Sequence, residues 1–147
     1  MAAKKYPQIN FSVASAERLP YQDQSFDFAL CIFAPYKAEE VLRILKPGGL
    51  FIVVGPGEGH MQQLANIVYQ DFKPHSMQPI INDELQLLAQ KQVSYQIDPS
   101  ATELVNVWKM SPYYWHSREG AEAKIQELKA LNLDFHIDIY ISKPDPI

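Results

Sequence analysis

The stretch from Phe26 to Val54 constrains the fold of this chain more than any other part of its sequence. It holds two apolar runs, Phe26–Phe33 and Leu50–Val54, which are typical of strands buried on both faces. Between the runs, apolar residues recur at the i, i+3, i+4 and i+7 positions of one helix face, namely Ala38, Val41, Leu42 and Leu45. A strand, a helix and a strand with short connections predict a right-handed βαβ unit in a parallel sheet.

The flanking sequence adds further predicted elements on both sides of this unit. Ile9–Val13 suits a short strand, and the apolar spacing from Met61 to Val68 predicts a helix. The stretch Phe72–Ile81 contains Pro74 and Pro79 and predicts a surface loop. Asn82 then suits the N-cap of a short helix through Leu88.

The C-terminal part predicts a strand, two helices and a closing strand. Val93–Ile97 alternates as a strand does, and Ser100 with Glu103 forms a capping-box pattern at the start of a helix. The spacing of Ala121, Ile125 and Leu128 predicts another helix. Near the C-terminus Phe135, Ile137, Ile139 and Ile141 alternate strictly with His136, Asp138, Tyr140 and Ser142. This period of two predicts a strand with one wetter face and antiparallel pairing. The predicted fold class is therefore α/β, with parallel strands finished by an antiparallel pair.

Small and turn-forming residues follow the predicted strands. In open α/β sheets, ligands bind beyond the carboxyl ends of the strands. Ser15, Ala34-Pro35 and Gly55-Pro56-Gly57 all stand at such positions. We therefore expect Ser15, Pro35 and Gly55 to lie along one rim of the sheet.

Composition narrows the class of protein. The length of 147 residues suits one domain, and a formal charge of −4 gives no general attraction to nucleic acid or anionic membranes. The lone Cys31 makes no intrachain disulfide and fits a reducing compartment. No run of about 18 apolar residues predicts a membrane span, so we expect a cytoplasmic protein. The four histidines and one cysteine show no ligand spacing, and no metal site is predicted.

Several stretches resemble class I S-adenosylmethionine-dependent methyltransferases, namely "VASAERLPYQDQSFDFALCIFAP", "EEVLRILKPGGLFIVVGPG" and the closing alternating strand. The stretches "KKYPQINFSVASAERLP", "APYKAEEVLRILKPGG" and "LVNVWKMSPYYWHS" resemble, more narrowly, the bacterial 23S rRNA guanine-N1-methyltransferases. The resemblance extends over nearly the whole chain. It implies a Rossmann-like methyltransferase sheet, S-adenosylmethionine as cofactor, and methyl transfer to N1 of a guanine in 23S rRNA.

The sequence departs from this family at its N-terminal side. No glycine-rich turn stands before Ser15, and neither the family's acidic ribose-binding residue nor its cysteine-rich zinc-binding domain is found. We therefore expect residues 1–147 to form the C-terminal part of a methyltransferase domain that lacks the first two strands. Weak or absent binding of S-adenosylmethionine by this chain alone is the expected consequence.

The same departure leaves an apolar strand edge without its usual neighbours. We expect one of two outcomes, because a bare edge invites pairing. Either Ile9–Val13 moves across to pair with Phe26–Phe33, or two copies form a homodimer or another edge-strand association.

The resemblance also implies roles for individual residues at the strand ends. Cofactor binding is assigned to Ala14, Ser15, Ala16, Ile32 and Phe33. The segment between the methyl group and the target base is Ala34, Pro35 and Tyr36, with Tyr36 as a stacking partner for the base. The alternative readings are a strand-end turn at Ser15 and a partly buried tyrosine in a strand-to-helix loop.

Contacts to RNA are assigned to Lys37, Trp115, His116 and Arg118, because aromatic rings beside cations suit single-stranded RNA. A packed loop that covers the sheet end is the alternative for the last three. Guanine N1 carries a proton that must be accepted, and Glu17, Asp27 and His60 are the candidate acceptors.

Two other functions remain open at this point. The "EEVLRILKPGG" motif does not distinguish between substrates, and a small-molecule methyltransferase is therefore one alternative. A catalytically silent methyltransferase-like remnant that serves as a binding module is the other, and the absent glycine-rich turn favours it.

Overall fold

The computed structural model describes residues 2–69 and 74–143 of the chain. The elements, in chain order, are α1 (Ala2–Lys5), β1 (Phe26–Ile32), α2 (Ala38–Ile44), β2 (Leu45–Pro56), α3 (Gln62–Val68), β3 (Leu85–Ile97), α4 (Ala101–Met110), a short 3₁₀-helix (Pro112–His116), α5 (Ala121–Gln126) and β4 (Leu131–Ser142). These strands form a four-stranded sheet in the order β1-β2-β4-β3. The predicted α/β class is confirmed.

The direction of the strands follows from their contacts. Just before β1, the Gln24 and Ser25 N–H groups donate to the carbonyls of Arg43 and Ile44, the last residues of α2, at 2.8 Å each. The residue numbers increase together on both sides, so that the chain enters β1 and β2 in the same direction, as a parallel pair requires. By contrast, side chains of β3 meet β4 in reverse order, Gln92 at Asp134 and Gln96 at Asn132. The sheet therefore ends in the predicted antiparallel pair.

The chain divides into two compact units. The first comprises Met1–Val53, Pro79–Ala89 and Asp138–Ile147, and the second comprises Val54–Gln78 and Gln90–Ile137. Buried apolar residues of the first unit are Val41, Ile44, Leu45, Phe51, Val53, Leu85 and Tyr140. The second unit has its own core of Leu64, Ala65, Val68, Leu104, Val105, Trp108, Tyr113, Ala121, Ile125 and Leu131.

Local signals in the sequence correctly placed several helices. The capping box of α4 is present: Glu103 N–H donates to Ser100 Oγ at 3.3 Å, and Ser100 N–H donates to Glu103 Oε2 at 2.8 Å. The helices predicted from Ala38 and over Met61–Val68 also form. In the loop predicted over Phe72–Ile81, residues 74–81 are outside helices and strands, and residues 72 and 73 lie outside the described part of the chain.

The short helix predicted from Asn82 to Leu88 is wrong. Asn82 Oδ1 accepts from Glu84 N–H at 2.8 Å, which closes a local turn rather than a helix cap. The chain then enters β3 at Leu85. Pairing with β4 supplies the backbone hydrogen bonds that a helix would have made, as when Lys143 N–H donates to Glu84 O at 3.0 Å.

The wetter face predicted for the last strand is also wrong. Asp138, Tyr140 and Ser142 on that face are only 1%, 1% and 4% exposed. Their polar atoms are bonded inside the protein: Tyr140 Oη lies 3.1 Å from Asp138 Oδ2, and Ser142 Oγ donates to Lys46 O at 2.8 Å. Burial is tolerated because these groups have partners.

Ile9–Val13 forms neither the predicted strand nor a pairing with β1. Ile9, Phe11 and Val13 are 50%, 48% and 104% exposed. Within the described residues, β2 is the one strand beside β1. The burial predicted for both faces of Phe26–Phe33 is wrong as well, because Phe28, Leu30 and Ile32 are 61%, 53% and 55% exposed.

Candidate functional site

The carboxyl end of β1 has an unusual backbone. Phe33 follows β1 directly and has φ of 47°. Bulky residues rarely adopt this left-handed conformation, and such residues are concentrated at functional sites. The next carbonyl, that of Ala34, accepts from Cys31 Sγ at 3.1 Å. Phe33 is 50% exposed, and Ile32 just before it is 55% exposed.

Tyr36 stands at the end of this turn. Its ring meets Phe51 edge-on, with centroids 5.2 Å apart, and is 36% exposed. Partial burial raises the pKa of Tyr36, and the charges of Cys31 and Asp138 add to the effect. The hydroxyl therefore stays protonated at neutral pH and can act as a hydrogen-bond donor. Ala34, Pro35 and Tyr36 thus form an exposed strand-to-helix connection, as predicted for this loop.

Two residues beside Tyr36 were missed by sequence reasoning. Phe51 packs against Tyr140 with ring centroids 6.3 Å apart, and Tyr140 lies beside the buried Asp138. Tyr140 Oη also accepts from Ile80 N–H at 2.9 Å. The available signal was the polar series in the last strand, which was interpreted as a solvent-facing surface.

The Ser15 turn lies next to this connection. Arg18 N–H donates to Ser15 O at 3.1 Å, and Glu17 N–H donates to Ser15 Oγ at 3.2 Å. Across from the turn, Lys37 Nζ lies 3.8 Å from Glu17 Oε2. This ion pair links Glu17, which follows the predicted cofactor segment 14–16, to Lys37, which follows the predicted base segment 34–36. We call residues 14–17 and 32–37 together the strand-end site.

The Ser15 hydroxyl already accepts a hydrogen bond within the turn, which agrees with the alternative reading of Ser15 as a strand-end turn residue. Ala14 and Ser15 are exposed and Ala16 is half-buried. Gly55 belongs to the second unit. The common rim for Ser15, Pro35 and Gly55 therefore stays a prediction.

The candidate proton acceptors differ in their surroundings. Asp27 Oδ1 accepts from Lys46 Nζ at 2.8 Å, and this pair holds the start of β1 beside β2. His60 is 6% exposed, and its Nδ1 lies 2.7 Å from Asp134 O. Burial lowers the pKa of His60, which keeps the ring neutral. Glu17 alone of these candidates is part of the strand-end site.

A cleft of about 690 Å³ lies beside the Ser15 turn in the first unit. It is lined by Glu17, Arg18, Leu19, Pro20, Tyr21, Gln22, Glu40 and Arg43. The Arg43 guanidinium already donates to Asp23 Oδ1 and Glu40 Oε1, each at 2.6 Å. The Arg43 cation is thus paired inside the chain, Arg18 is the other cation of the lining, and the cleft is not assigned a ligand.

The predicted RNA-contacting aromatics lie in the second unit. Trp115 is 82% exposed and meets Tyr114 edge-on, at 5.2 Å between centroids. His116 Nδ1 lies 3.0 Å from Pro112 O, which fixes the ring against the 3₁₀-helix. His116 and Arg118 are both exposed. Trp115, His116 and Arg118 are thus all exposed, whereas the neighbouring Tyr113 is 7% exposed, and the RNA contacts stay a prediction.

A buried carboxylate organises another loop of the second unit. Asp134, 6% exposed, accepts from Gly59 N–H at 2.9 Å, from Gln92 Nε2 at 2.9 Å and from Ser94 Oγ at 2.5 Å. Burial raises the pKa of Asp134, but the bonds from Ser94, Gln92 and Gly59 outweigh that effect and leave it lowered. The sequence of β4 gave no sign that Asp134 would be buried and would accept these hydrogen bonds. The Gly-Pro-Gly that precedes Gly59 was the available signal, and it was interpreted as part of a ligand rim.

The strand-end site fits one part of S-adenosylmethionine. Exposed apolar groups at Ile32 and Phe33 suit the flat adenine ring, and the turn at Ser15 and Ala16 offers a hydroxyl and a backbone amide. Ser15 Oγ is already engaged by Glu17 N–H, so that a bound adenine would share it. This site provides no comparable set of donors for the methionine part.

Within residues 2–69 and 74–143, His, Cys, Asp and Glu do not gather in groups of three or more that could hold a metal ion. Over the same residues, every helix is too short or too polar to cross a bilayer.

Comparison with known proteins identifies what the chain resembles. The model of the family described as "Methyltransferase domain" matches residues 1–53. The chain is 26% identical to the "23S rRNA (guanine(748)-N(1))-methyltransferase" of Streptomyces fradiae over 152 residues, covering 99% of this chain and 54% of that protein. It is 25% identical to the "Putative 23S rRNA (guanine-N(1)-)-methyltransferase YxjB" of Bacillus subtilis (strain 168), covering 95% and 51%. The chain thus spans about half the length of these curated relatives.

Other matches are shorter or more distant. The "Demethylmenaquinone methyltransferase" of Chlorobaculum parvum is 36% identical over 63 residues, covering 38% of this chain and 26% of that protein. Among solved structures, the MccD protein superposes with a TM-score of 0.51 at 17% identity, covering 97% of this chain and 73% of that chain. This structural match supports the fold alone. The predicted resemblance to methyltransferases, and with it the Rossmann-like sheet, is confirmed.

Proposed function

We propose that this chain is part of an S-adenosylmethionine-dependent methyltransferase that acts on N1 of a guanine in 23S rRNA. The observation that carries the proposal is the similarity to rRNA guanine-N1-methyltransferases over 99% and 95% of the chain. Because the chain spans about half of those relatives, the activity is proposed for the protein that contains this chain. A cytoplasmic location and a role in rRNA processing belong to the same proposal.

Tyr36 is the residue proposed to position the target base. Its ring is held edge-on by Phe51 and is 36% exposed, so that one face is available for stacking. The unusual backbone at Phe33 sets the direction in which Ala34 and Pro35 leave the strand. Carbonyls of this connection would accept hydrogen bonds from an extruded guanine. Positioning of this kind accounts for much of the catalysis in a direct displacement.

The strand-end site would hold the adenine of the cofactor at Ser15, Ala16, Ile32 and Phe33. When bound, S-adenosylmethionine supplies the methyl group as an electrophile on its sulfonium. Glu17 is the proposed acceptor of the guanine N1 proton, because its carboxylate is exposed beside Lys37 and close to the base segment. The Lys37 ammonium lies 3.8 Å from this carboxylate.

RNA contacts are proposed separately for each unit: Lys37 in the first, and Trp115, His116 and Arg118 in the second. Trp115 offers a large exposed ring, on which a base stacks irrespective of its identity. Arg118 and Lys37 offer cations for phosphates. The formal charge of −4 confines any attraction to such local groups.

The test uses ribosomes that lack guanine-N1 methylation. The protein that contains this chain is incubated with them and with S-adenosylmethionine, and N1-methylguanine in digested 23S rRNA is measured by mass spectrometry. We expect N1-specific methylation of 23S rRNA. In parallel, binding of the chain to 23S rRNA fragments is measured without cofactor.

Tyr36→Ala is the informative variant, and Tyr21→Ala is its matched control, since the two rings are 36% and 38% exposed. Tyr36→Ala should abolish methylation, whereas Tyr21→Ala should retain it. The proposal fails if 23S rRNA gains no N1-methylguanine and the chain shows no preference for 23S fragments over unrelated RNA. RNA binding without methylation would instead favour the silent binding module.

A small-molecule methyltransferase is the second candidate, favoured by the 36% identity to the demethylmenaquinone methyltransferase of Chlorobaculum parvum. That match is confined to 38% of the chain. A quinone substrate would need the exposed apolar residues of the strand-end site and would not need Trp115. Methylation of a demethylmenaquinone analogue, with 23S rRNA left unmodified, would establish this alternative.

A further inference from the structure

A buried aromatic stack supports Tyr36 in the first unit. The Tyr36 ring meets Phe51 edge-on, with centroids 5.2 Å apart, and Phe51 lies tilted against Tyr140 at 6.3 Å. Phe51 and Tyr140 are each 1% exposed, and they stand on β2 and β4, which are neighbours in the sheet. Because aromatic pairs have preferred relative orientations, the place of the Tyr36 ring depends on where Phe51 lies.

Hydrogen bonds fix the far end of this stack. Tyr140 Oη donates to Asp138 Oδ2 at 3.1 Å and accepts from Ile80 N–H at 2.9 Å. Asp138 is 1% exposed and stands two residues before Tyr140, so that both side chains lie on the same face of β4. The Tyr140 hydroxyl is thus held from two sides, and a shift of its ring would strain both hydrogen bonds.

We propose that Asp138 is a positioning residue for Tyr36. Its carboxylate holds the Tyr140 hydroxyl, the Tyr140 ring supports Phe51, and Phe51 sets where the Tyr36 ring lies. The inference rests on the proposed function, in which Tyr36 stacks on the target guanine. A ring displaced by about 1 Å would misplace the base, and a misplacement of that size can cost about 100-fold in rate.

Electrostatic effects also link the two ends of the stack. Burial raises the pKa of Tyr36, and the charges of Cys31 and Asp138 raise it further. Burial is likewise the main cause of the raised pKa of Tyr140, to which Tyr36 adds. A charge inside a protein acts more strongly on its neighbours than a charge in water. A change at Asp138 should therefore be measurable at the Tyr36 hydroxyl.

The alternative is that the stack serves stability alone. Burial of Phe51 and Tyr140 stabilises the first unit whether or not Tyr36 takes part in a reaction. The two accounts differ in what happens to the Tyr36 ring when the far end of the stack is changed. Two experiments separate them, and both use the protein that contains this chain.

The first experiment follows the Tyr36 ring by NMR in protein labelled on its tyrosine rings, with Tyr36→Phe to assign the signals. Asp138→Ala should shift the Tyr36 ring signals, because the hydrogen bond that holds Tyr140 is lost. Tyr140→Phe should shift them as well, and it keeps the ring in the core if Asp138→Ala does not fold. Asp83→Ala, at an exposed acidic residue of the same unit, is the matched control and should leave the signals unchanged.

Asp138→Asn separates the hydrogen bond from the charge. The amide keeps an oxygen that can accept from the Tyr140 hydroxyl, so that the Tyr36 ring signals should stay close to wild type. The negative charge is gone, and the pKa of Tyr36 should therefore fall.

The second experiment measures methylation of 23S rRNA by these variants. Asp138→Ala should lower kcat at least about tenfold and leave KM for S-adenosylmethionine unchanged, since the displaced ring contacts the base and not the cofactor. Asp138→Asn should restore most of the rate. In a Phe51→Leu background, which interrupts the stack, Asp138→Ala should have little further effect.

Unchanged Tyr36 ring signals in both Asp138→Ala and Tyr140→Phe would overturn the inference, whatever the methylation rate. So would shifted signals with a kcat equal to wild type, or an Asp138→Asn variant as slow as Asp138→Ala. A wild-type protein that does not methylate 23S rRNA would refute the proposed function. The link from Asp138 to the Tyr36 ring would then be decided by the NMR signals alone.

Discussion

Gly57 and Asp134 fit together without room for a side chain at position 57. The Gly57 N–H donates to Asp134 O at 2.9 Å. A Cβ on Gly57 would lie 2.5 Å from the Asp134 carboxyl carbon, closer than non-bonded atoms approach. The carboxylate itself is held by Gly59, Gln92 and Ser94, so that it cannot swing away freely. The glycine is thus required by packing against a buried charge.

Gly57→Ala should therefore destabilise the protein by about 1–3 kcal/mol, the usual range for overpacking. The measurement is the free energy of unfolding in urea. Gly59→Ala is the matched control, because its Cβ would lie 3.6 Å from Asp134 Oδ2, an ordinary contact. In an Asp134→Ala background the cost of Gly57→Ala should shrink, since the clashing atoms are gone. Equal costs in both backgrounds would contradict this account.

Removal of the Tyr140 hydroxyl should be costly although it changes little volume. Tyr140→Phe leaves the Ile80 N–H without its acceptor and takes a hydrogen bond from the buried Asp138. We expect a loss of about 1–3 kcal/mol in the free energy of unfolding. Tyr95→Phe, at a ring that is 50% exposed, should change it by less than about 0.5 kcal/mol.

The same hydroxyl predicts a response to alkaline pH. Burial raises the pKa of Tyr140 to about 12, with the Asp138 carboxylate adding to the effect. Because the folded pKa is above the unfolded value of about 10, this contribution to stability is full below pH 10 and is lost as pH rises through about 12. Absorbance at 295 nm during a pH titration should show the ionisation of Tyr140 as a late step near pH 12. That late step should be missing in Tyr140→Phe.

Glu40 predicts a response to acid. Hydrogen bonds from Arg43 and from the Leu19 N–H lower the pKa of Glu40 to about 2. The carboxylate therefore contributes stability above pH 4.5, the usual pKa, and this is lost as pH falls through about 2. Glu40→Gln should be less stable than wild type at pH 7 and should lose less between pH 4.5 and 2. Glu39→Gln, at an exposed neighbour, should follow the wild-type profile. Parallel profiles for Glu40→Gln and wild type would contradict the assignment.

Trp115 should contribute to RNA affinity and not to the free energy of unfolding. Since it is 82% exposed, Trp115→Ala should change the free energy of unfolding by less than about 0.5 kcal/mol. Loss of one stacking contact should weaken binding to 23S rRNA fragments about 5- to 100-fold. Met110→Ala is the matched control, at 84% exposure, and should leave RNA affinity unchanged. Equal affinities for Trp115→Ala and wild type would remove Trp115 from the RNA interface.

Local sequence signals predicted much of the fold for identifiable reasons. The helix from Ala38, the helix over Met61–Val68 and the Ser100–Glu103 cap depend on contacts within a few residues, so that their pattern is visible in the chain. The parallel pairing of β1 and β2 follows from the short helix connection between them.

The misassigned stretches depend on distant partners. The sequence from Asn82 to Leu88 is compatible with a helix, but pairing with β4 makes most of it strand. Asp138, Tyr140 and Ser142 were interpreted as solvent-facing because they are polar, yet Lys46, Ile80 and one another supply their hydrogen bonds. A distant backbone group as partner leaves no periodic trace in the sequence.

The amino-acid sequence by itself determined the order and type of most elements and the resemblance to methyltransferases, since spacing, caps and motifs are local properties. Tertiary structure alone decided which polar side chains are buried and that Glu17 lies beside Lys37. It also decided that the apolar side chains of β1 are exposed. The physical reason is that burial and partnership depend on which distant segments come together, and a strand's own residues do not specify whether a neighbour covers them.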